Sequence, residues 1–309
     1  MKKIAFLLIL LVVLGAIVAL QNPLFLSTIN IQNTARWIAL RSIFAIGVGI
    51  VIVTGGIDLS IGSIIGLSGV ILTMLVRELG VPAALALLLV LALTSLLGLG
   101  QGWLITRLRL QPFIVTLCGL LLFRGIARFI TEDKTKGFGT ANEAFRYLAV
   151  GKPLGIPMPV LILAVVGSLA ALFLHTTIWG RHLFALGHNE EAARFAGIRT
   201  HRLKIVTYVI SAGMAGLAGI LYALDTNTVQ PASAGNAYEL YGIAAAVLGG
   251  CSLRGGEGTV AGIIVGACII TVLPNALTLL KVSTFLEFAV IGLVILVVVI
   301  LEALIGKRL

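Results

Sequence analysis

The sequence predicts an all-α polytopic membrane protein of about ten transmembrane helices, some of them discontinuous, with N- and C-termini cytoplasmic. Three observations lead there. The chain is 59% hydrophobic and only 11% charged, and its mean hydropathy of +1.13 is far outside the range of water-soluble domains. Apolar runs recur along all 309 residues with short polar intervals between them, which reads as a single transmembrane domain over 1–309. One markedly polar, basic stretch, Gly187–Lys204, lies between two of these runs and orients the whole.

The first span runs from Ile4 to Leu20 behind Lys2 and Lys3, with the N-terminus inside, and Asn22-Pro23 ends it. Leu24–Arg36 reads as a short outer loop. Span two covers Trp37–Thr54 and span three Leu59–Val76, separated by Gly55-Gly56-Ile57-Asp58-Leu59-Ser60. Span four is Pro82–Thr106, span five Pro112–Ile130, and Thr131–Pro157 is the longest polar interval. Span six, Met158–His175, leads into a cytoplasmic segment over 176–204. Span seven is Ile205–Leu224, followed by an outer loop over Asp225–Tyr238. Span eight, Glu239–Leu248, is too short to cross about 30 Å of hydrocarbon as a helix, so a re-entrant or discontinuous helix is expected before span nine, Thr259–Leu280. Span ten is Thr284–Ile305.

Within the polar stretch the residues predict a helix of about two turns. Asn189 is a good N-cap, Glu190 and Glu191 sit in the first turn where the helix dipole favours negative charge, and Gly197 is placed to end it. Two turns are not stable alone in water, so the segment needs a surface to hold it. Arg194, Arg199, Arg202 and Lys204, with Arg181 just upstream, make it basic. On the residues alone two readings stand: a polar loop that orients the chain by its charge, or a plug for a groove in another molecule.

Asp58 is the sharpest single residue, because a carboxylate at membrane depth needs a cavity or a partner. Three roles are open to it: capping span three with help from Ser60, lining a solute path or gate, or binding a proton or sodium ion. Gly55, Gly56, Gly249 and Gly250 permit broken helices and close backbone approach. The stretch Val53-Thr54-Gly55-Gly56-Ile57 aligns with Val247-Leu248-Gly249-Gly250-Cys251, and paired glycine-interrupted spans point to a transporter's central pathway. Pro274-Asn275 kinks span nine and frees a carbonyl, which Asn275 either satisfies or leaves while facing the solute. Arg124 and Arg128 read as arginines reaching for lipid headgroups, or for an acidic docking surface.

Other chemistry is not indicated. The net charge of +10 would suggest nucleic acid in a soluble domain; here it fits basic loops facing anionic membrane lipid, with no nucleic acid partner. There is no G-x-x-x-x-G-K-[ST] loop, and Gly255-Gly256-Glu257-Gly258 lacks the lysine that meets a phosphate. His175, His182, His188 and His201 have no metal spacing, and Cys118, Cys251 and Cys268 form no disulfide framework. No cofactor, metal site or catalytic set is expected, so any ATP hydrolysis belongs to another chain.

Glu191-Ala192-Ala193, three residues, then Gly197 resembles the coupling segment of bacterial ABC importer permeases, without that motif's later Ile-x-Leu-Pro. The stretches TGGIDLSIGSIIGLSG, QPFIVTLCGLLLFRGIA, GRHLFALGHNEEAARFAGI, SAGMAGLAGILYA and LGGCSLRGGEGTVAGIIVGA are similar, in order, to the ribose/xylose/autoinducer-2 group, sister to the branched-chain amino acid permeases. The resemblance implies a permease subunit of the bacterial inner membrane. It would import a monosaccharide or related small polar solute, as a homodimer or beside a second permease. Cytoplasmic ABC ATPase subunits and a periplasmic or lipid-anchored solute-binding protein would complete it. It assigns Gly187, Asn189, Glu191, Ala192, Ala193 and Gly197 to ATPase coupling. It leaves Gly55, Gly56, Asp58, Ser60, Gly249, Gly250 and Asn275 as candidates for the path or gate. One departure is Tyr238-Glu239-Leu240-Tyr241-Gly242, where many members carry an aspartate in place of Tyr241. The competing expectation is an ion-coupled secondary transporter using Asp58.

Overall fold

The computed structural model describes residues 2–139, 143–283, 286, 288–293, 296–297 and 300. The described chain is helical almost throughout. Among the described residues seven helices are long and apolar enough to cross a membrane. They are α1 (Lys2–Gln21), α2 (Thr28–Val53), α4 (Ala83–Arg107), α5 (Pro112–Thr131), α7 (Met158–Thr176), α10 (Thr200–Thr226) and α12 (Val260–Leu279). Spans three and eight are the shorter α3 (Ile61–Arg77) and α11 (Tyr238–Leu248), about 26 and 16 Å long against about 30 Å of hydrocarbon. Span ten, Thr284–Ile305, lies largely outside the described residues, as does the C-terminus.

Two helices carry the bundle. From Ala39 to Val53 nearly every residue of α2 is buried, because α7, α10, α11 and α12 surround it. α10 packs against α2, α3 and α4. The peripheral helices present apolar side chains outward, among them Val12, Leu20, Leu88, Leu121 and Phe129. Such a surface is stable against lipid rather than water, and helices are the spanning elements that satisfy their own backbone there.

The sequence reading needs correction at two places, Leu24–Arg36 and Arg124. Leu24–Arg36 is not a loop. After a short 3-10 turn at Pro23–Leu26, Ser27 caps α2 by accepting from Asn30 N, and the helix starts at Thr28. Its polar first turns are held by other helices: Arg36 pairs with Asp225 at 3.1 Å, and the side chains of Asn30 and Asn275 bond each other. Thr131–Pro157 also has structure, with strand β1 (Lys136–Gly137) antiparallel to β2 (Thr228–Val229) and a helix, α6 (Glu143–Val150). Arg124 does not reach outward. Its guanidinium donates to Pro231 O at 3.0 Å and to Ala234 O, pinning the loop before α11.

Candidate functional site

The segment over 176–204 forms two short helices at one end of the bundle. α8 (Ile178–His188) is capped by Thr177, whose hydroxyl accepts from Gly180 N at 3.1 Å; the sequence reading did not resolve it. Asn189 then leaves the helical region with φ −159° and caps α9 (Glu190–Phe195), its side chain accepting from Ala192 N at 3.0 Å. Gly197, at φ +82°, ends it, with Ile198 N donating back to Ala193 O. α9 is held by few contacts. Ala193 is its one buried residue, and Lys204 pairs with Glu190 at 2.6 Å. Phe195 stands 83% exposed. A cavity of about 360 Å³ flanks α9 on the side of the α4–α5 turn, lined by Arg109, Pro112, Glu190, Glu191, Arg194 and His201. A second, about 520 Å³, lies beside Trp179, His182, Gly197 and Arg202. Gly187, Asn189, Glu191, Ala192, Ala193 and Gly197 thus fall on one projecting corner.

That corner touches the first of two helix breaks and the loop that follows the second. α2 ends with Gly55 in the left-handed region (φ +75°), and α11 ends with Gly250 at φ +98°. In each, the next amide reaches back five residues, Gly56 N to Val51 O and Cys251 N to Ala246 O, the Schellman pattern that glycine permits. The structural pairing is therefore Gly55 with Gly250, one residue out of the alignment that paired Gly55 with Gly249. Val53 O, at the first break, accepts from Gly256 N in the loop after the second at 2.9 Å. Gly187 sits on this hydrogen bond. A Cβ there would stand 1.9 Å from Val53 O and 2.4 Å from Gly256 N, so only a bare backbone fits.

Asp58 and Ser60 lie beyond the first break, on the way into α3. Asp58 is fully buried. One carboxylate oxygen accepts from Ser60 N at 3.0 Å and Ser60 Oγ at 2.7 Å, and the other from Ser211 Oγ on α10 at 2.9 Å. Gln101 on α4 joins the cluster, 3.2 Å from Ser60 Oγ, and Tyr208 donates to Ile57 O at 3.2 Å. The carboxylate therefore secures the turn into α3 and ties it to α10. Ser211, Tyr208 and Gln101 were not singled out from the sequence, although each is a polar residue inside an apolar helix. No group of three or more His, Cys, Asp or Glu side chains able to hold a metal ion occurs among the described residues.

Asn275 is at the opposite end, away from these parts. Its amide is spent on Asn30, at 2.8 and 3.3 Å. The carbonyl that Pro274 frees is Ile270 O, four residues back, and Arg41 takes it at 3.1 Å. Arg41 also lies over the Tyr241 ring, 5.0 Å from its centroid. Asn275 and Arg41 line a cavity of about 330 Å³ between α2, α11 and α12, together with Asn30, Asn33, Thr34, Trp37, Tyr238, Thr271, Pro274 and Thr278.

These features define a class: a multi-pass helical membrane protein, with a short polar helix beside the end of one interrupted helix and the loop that follows another. The chain belongs to the family of branched-chain amino acid transport system permease components, which matches residues 30–299. It is 39% identical over 297 residues to the ribose import permease protein RbsC of Escherichia coli (strain K12), covering 96% of this chain and 92% of that one. It is 40% identical over 291 residues to the ribose import permease protein RbsC of Bacillus subtilis (strain 168), covering 94% and 89%. To the xylose transport system permease protein XylH of Escherichia coli (strain K12) it is 32% identical over 364 aligned positions, covering 96% and 92%. No solved structure matches the chain. As a permease component it is not itself an ATP-hydrolysing enzyme.

Proposed function

We propose that this chain is the transmembrane subunit of an ATP-driven importer that brings a monosaccharide or related small polar solute into the cell. The observation that carries the proposal is the corner at Gly187, where the α8–α9 segment meets the end of α2 and the loop that follows α11. A partner gripping α9 there has a mechanical route to the pathway. The similarity to ribose and xylose permeases over nearly the whole chain supports a sugar as cargo.

In this reading the subunit lies in the bacterial inner membrane as one domain over 1–309, with both termini and α9 on the cytoplasmic side. It pairs with an identical or a second permease, is surrounded by lipid, and receives solute from a periplasmic or lipid-anchored binding protein. Cytoplasmic ABC ATPase subunits seat α9, with Glu191, Ala192 and Ala193 in their groove and Phe195 as the apolar anchor. Closure of the ATPases on ATP pulls α8 and α9. Gly187 then shifts the Val53–Gly256 contact, which alters the angle at both helix breaks. Gly55, Gly56, Asp58, Ser60, Gly249 and Gly250 form the gate that responds. The fully hydrogen-bonded Asp58 suits a fixed tether between α3 and α10 better than an ion site that must bind and release. The test is reconstitution with the ATPase and binding protein in liposomes. Glu191→Lys and Gly197→Pro are expected to leave ATP hydrolysis running while sugar uptake falls at least tenfold. Unimpaired uptake by both, or uptake that needs an ion gradient and no ATP, would refute the proposal.

A further inference from the structure

The cavity between α2, α11 and α12 has a composition that selects its occupant. On α2, Asn33, Trp37 and Arg41 follow each other at four-residue steps and share one face. On α12, Thr271 and Thr278 share another, seven residues apart. The lining along α2 from Asn30 to Arg41 extends about 16 Å into the bundle. Among the described residues no carboxylate lines it, so a cation has no counter-charge there. Arg41, the one cation among the described lining residues, already donates to Ile270 O and lies on the Tyr241 ring, which disfavours an anion. An apolar occupant would leave the buried Thr34 Oγ1 and Arg41 Nε of the wall without partners. A neutral polyhydroxylated solute satisfies all three conditions. Its hydroxyls both donate and accept, so they can donate to Thr271 and Thr278, whose own hydroxyls already donate to Ala267 O and Pro274 O, and its C–H faces stack on aromatic rings.

The aromatic side of the cavity is preorganised. Tyr238 stacks on Phe44 with centroids 5.4 Å apart, and Trp37 and Tyr238 both meet Tyr222 edge-on at 6.2 Å. Polar capacity is left over as well: Thr34 Oγ1 and Arg41 Nε are buried with no hydrogen-bond partner. The volume of about 330 Å³ is at the small end of ligand sites, suited to one sugar unit.

We infer that this cavity, within a single subunit and at the end of the bundle remote from α9, is a solute site for one neutral sugar, with Trp37 and Tyr238 as stacking surfaces and Asn33, Thr271 and Thr278 as hydroxyl readers. The inference rests on the importer reading and adds to it a place where the cargo pauses inside the protomer. It is tested on the purified full-length permease in lipid nanodiscs, with Trp103→Phe and Trp179→Phe so that fluorescence reports Trp37 alone. Titration with D-ribose and with D-xylose is expected to give a saturable signal for at least one. Thr278→Phe, which fills the mouth from a position near the end of α12, and Asn33→Leu are each expected to raise the half-saturating concentration at least tenfold. A sugar lacking one ring hydroxyl, 2-deoxyribose, is expected to bind more weakly than D-ribose. The absence of a saturable Trp37 signal, or half-saturation unmoved by both substitutions, overturns the site. In the complete importer, ATP-driven uptake at unaltered rates by both variants overturns the site and leaves the importer reading standing. If the unaltered complex takes up no sugar at all, both fall.

Discussion

The sharpest perturbation is Gly187→Ala. In an isolated helix this change is favourable by about 1 kcal/mol, because alanine is the better helix former. Here the added methyl would stand 1.9 Å from Val53 O and 2.4 Å from Gly256 N. Relieving this requires movements of about 1 Å or more on either side. Overpacking of this kind costs about 1–3 kcal/mol, and stretching the Gly256 N to Val53 O bond leaves a buried carbonyl unsatisfied at about 1–3 kcal/mol. The contacts therefore outweigh the propensity gain, with a net loss of about 1–5 kcal/mol confined to the joint between α8, the first break and the loop after the second. Proteoliposomes containing the permease, its ATPase and its binding protein should show sugar uptake reduced at least tenfold, with ATP hydrolysis retained. The control is Gly125→Ala, where nothing lies within 4 Å of the new methyl and transport should be unchanged. If Gly187→Ala transports at the rate of the Gly125→Ala control, the joint does not carry the coupling.

Further outcomes follow from single contacts. Arg41→Met should lower thermal stability in detergent by about 1–3 kcal/mol, since Ile270 O loses its donor. In a Pro274→Ala background that cost should shrink, because residue 274 regains an N–H for the same carbonyl; equal costs in both backgrounds would show that Arg41 acts otherwise. Asn189→Ala removes the cap on α9 and should cost about 1 kcal/mol locally, read as faster amide exchange over Glu190–Phe195 with little change in global melting; protection equal to the unaltered chain's would contradict the cap. Ser211→Ala leaves one oxygen of Asp58 without its α10 partner. It should destabilise the permease by about 1–3 kcal/mol, whereas an Asp58 that was not structural would tolerate the change.

What the residues disclosed, and what they withheld, follows from the range of each interaction. Within the described residues the span positions, the Asn189 cap and the Gly197 stop were legible because hydropathy, capping and left-handed glycine are local. The start of α2 was misread because polarity over Thr28–Arg36 resembles a loop until Asp225 and Asn275 are known to face it across the bundle. The alignment of the two breaks slipped by one residue because two adjacent glycines occur at each, and only the hydrogen bonds to Val51 O and Ala246 O choose between them. Pro274 announced a freed carbonyl, but its donor lies 229 positions away in the sequence. The crowding at Gly187 was likewise invisible, since the atoms that exclude a side chain there belong to Val53 and Gly256.

The most direct measurement is accessibility of position 195. In a chain carrying Phe195→Cys and Cys118→Ser, a membrane-impermeant thiol reagent is applied to oriented membrane vesicles with and without the ATPase subunits. The account predicts labelling from the cytoplasmic face only, and protection when the ATPase is bound. Labelling from the outer face, or labelling indifferent to the ATPase, would contradict it.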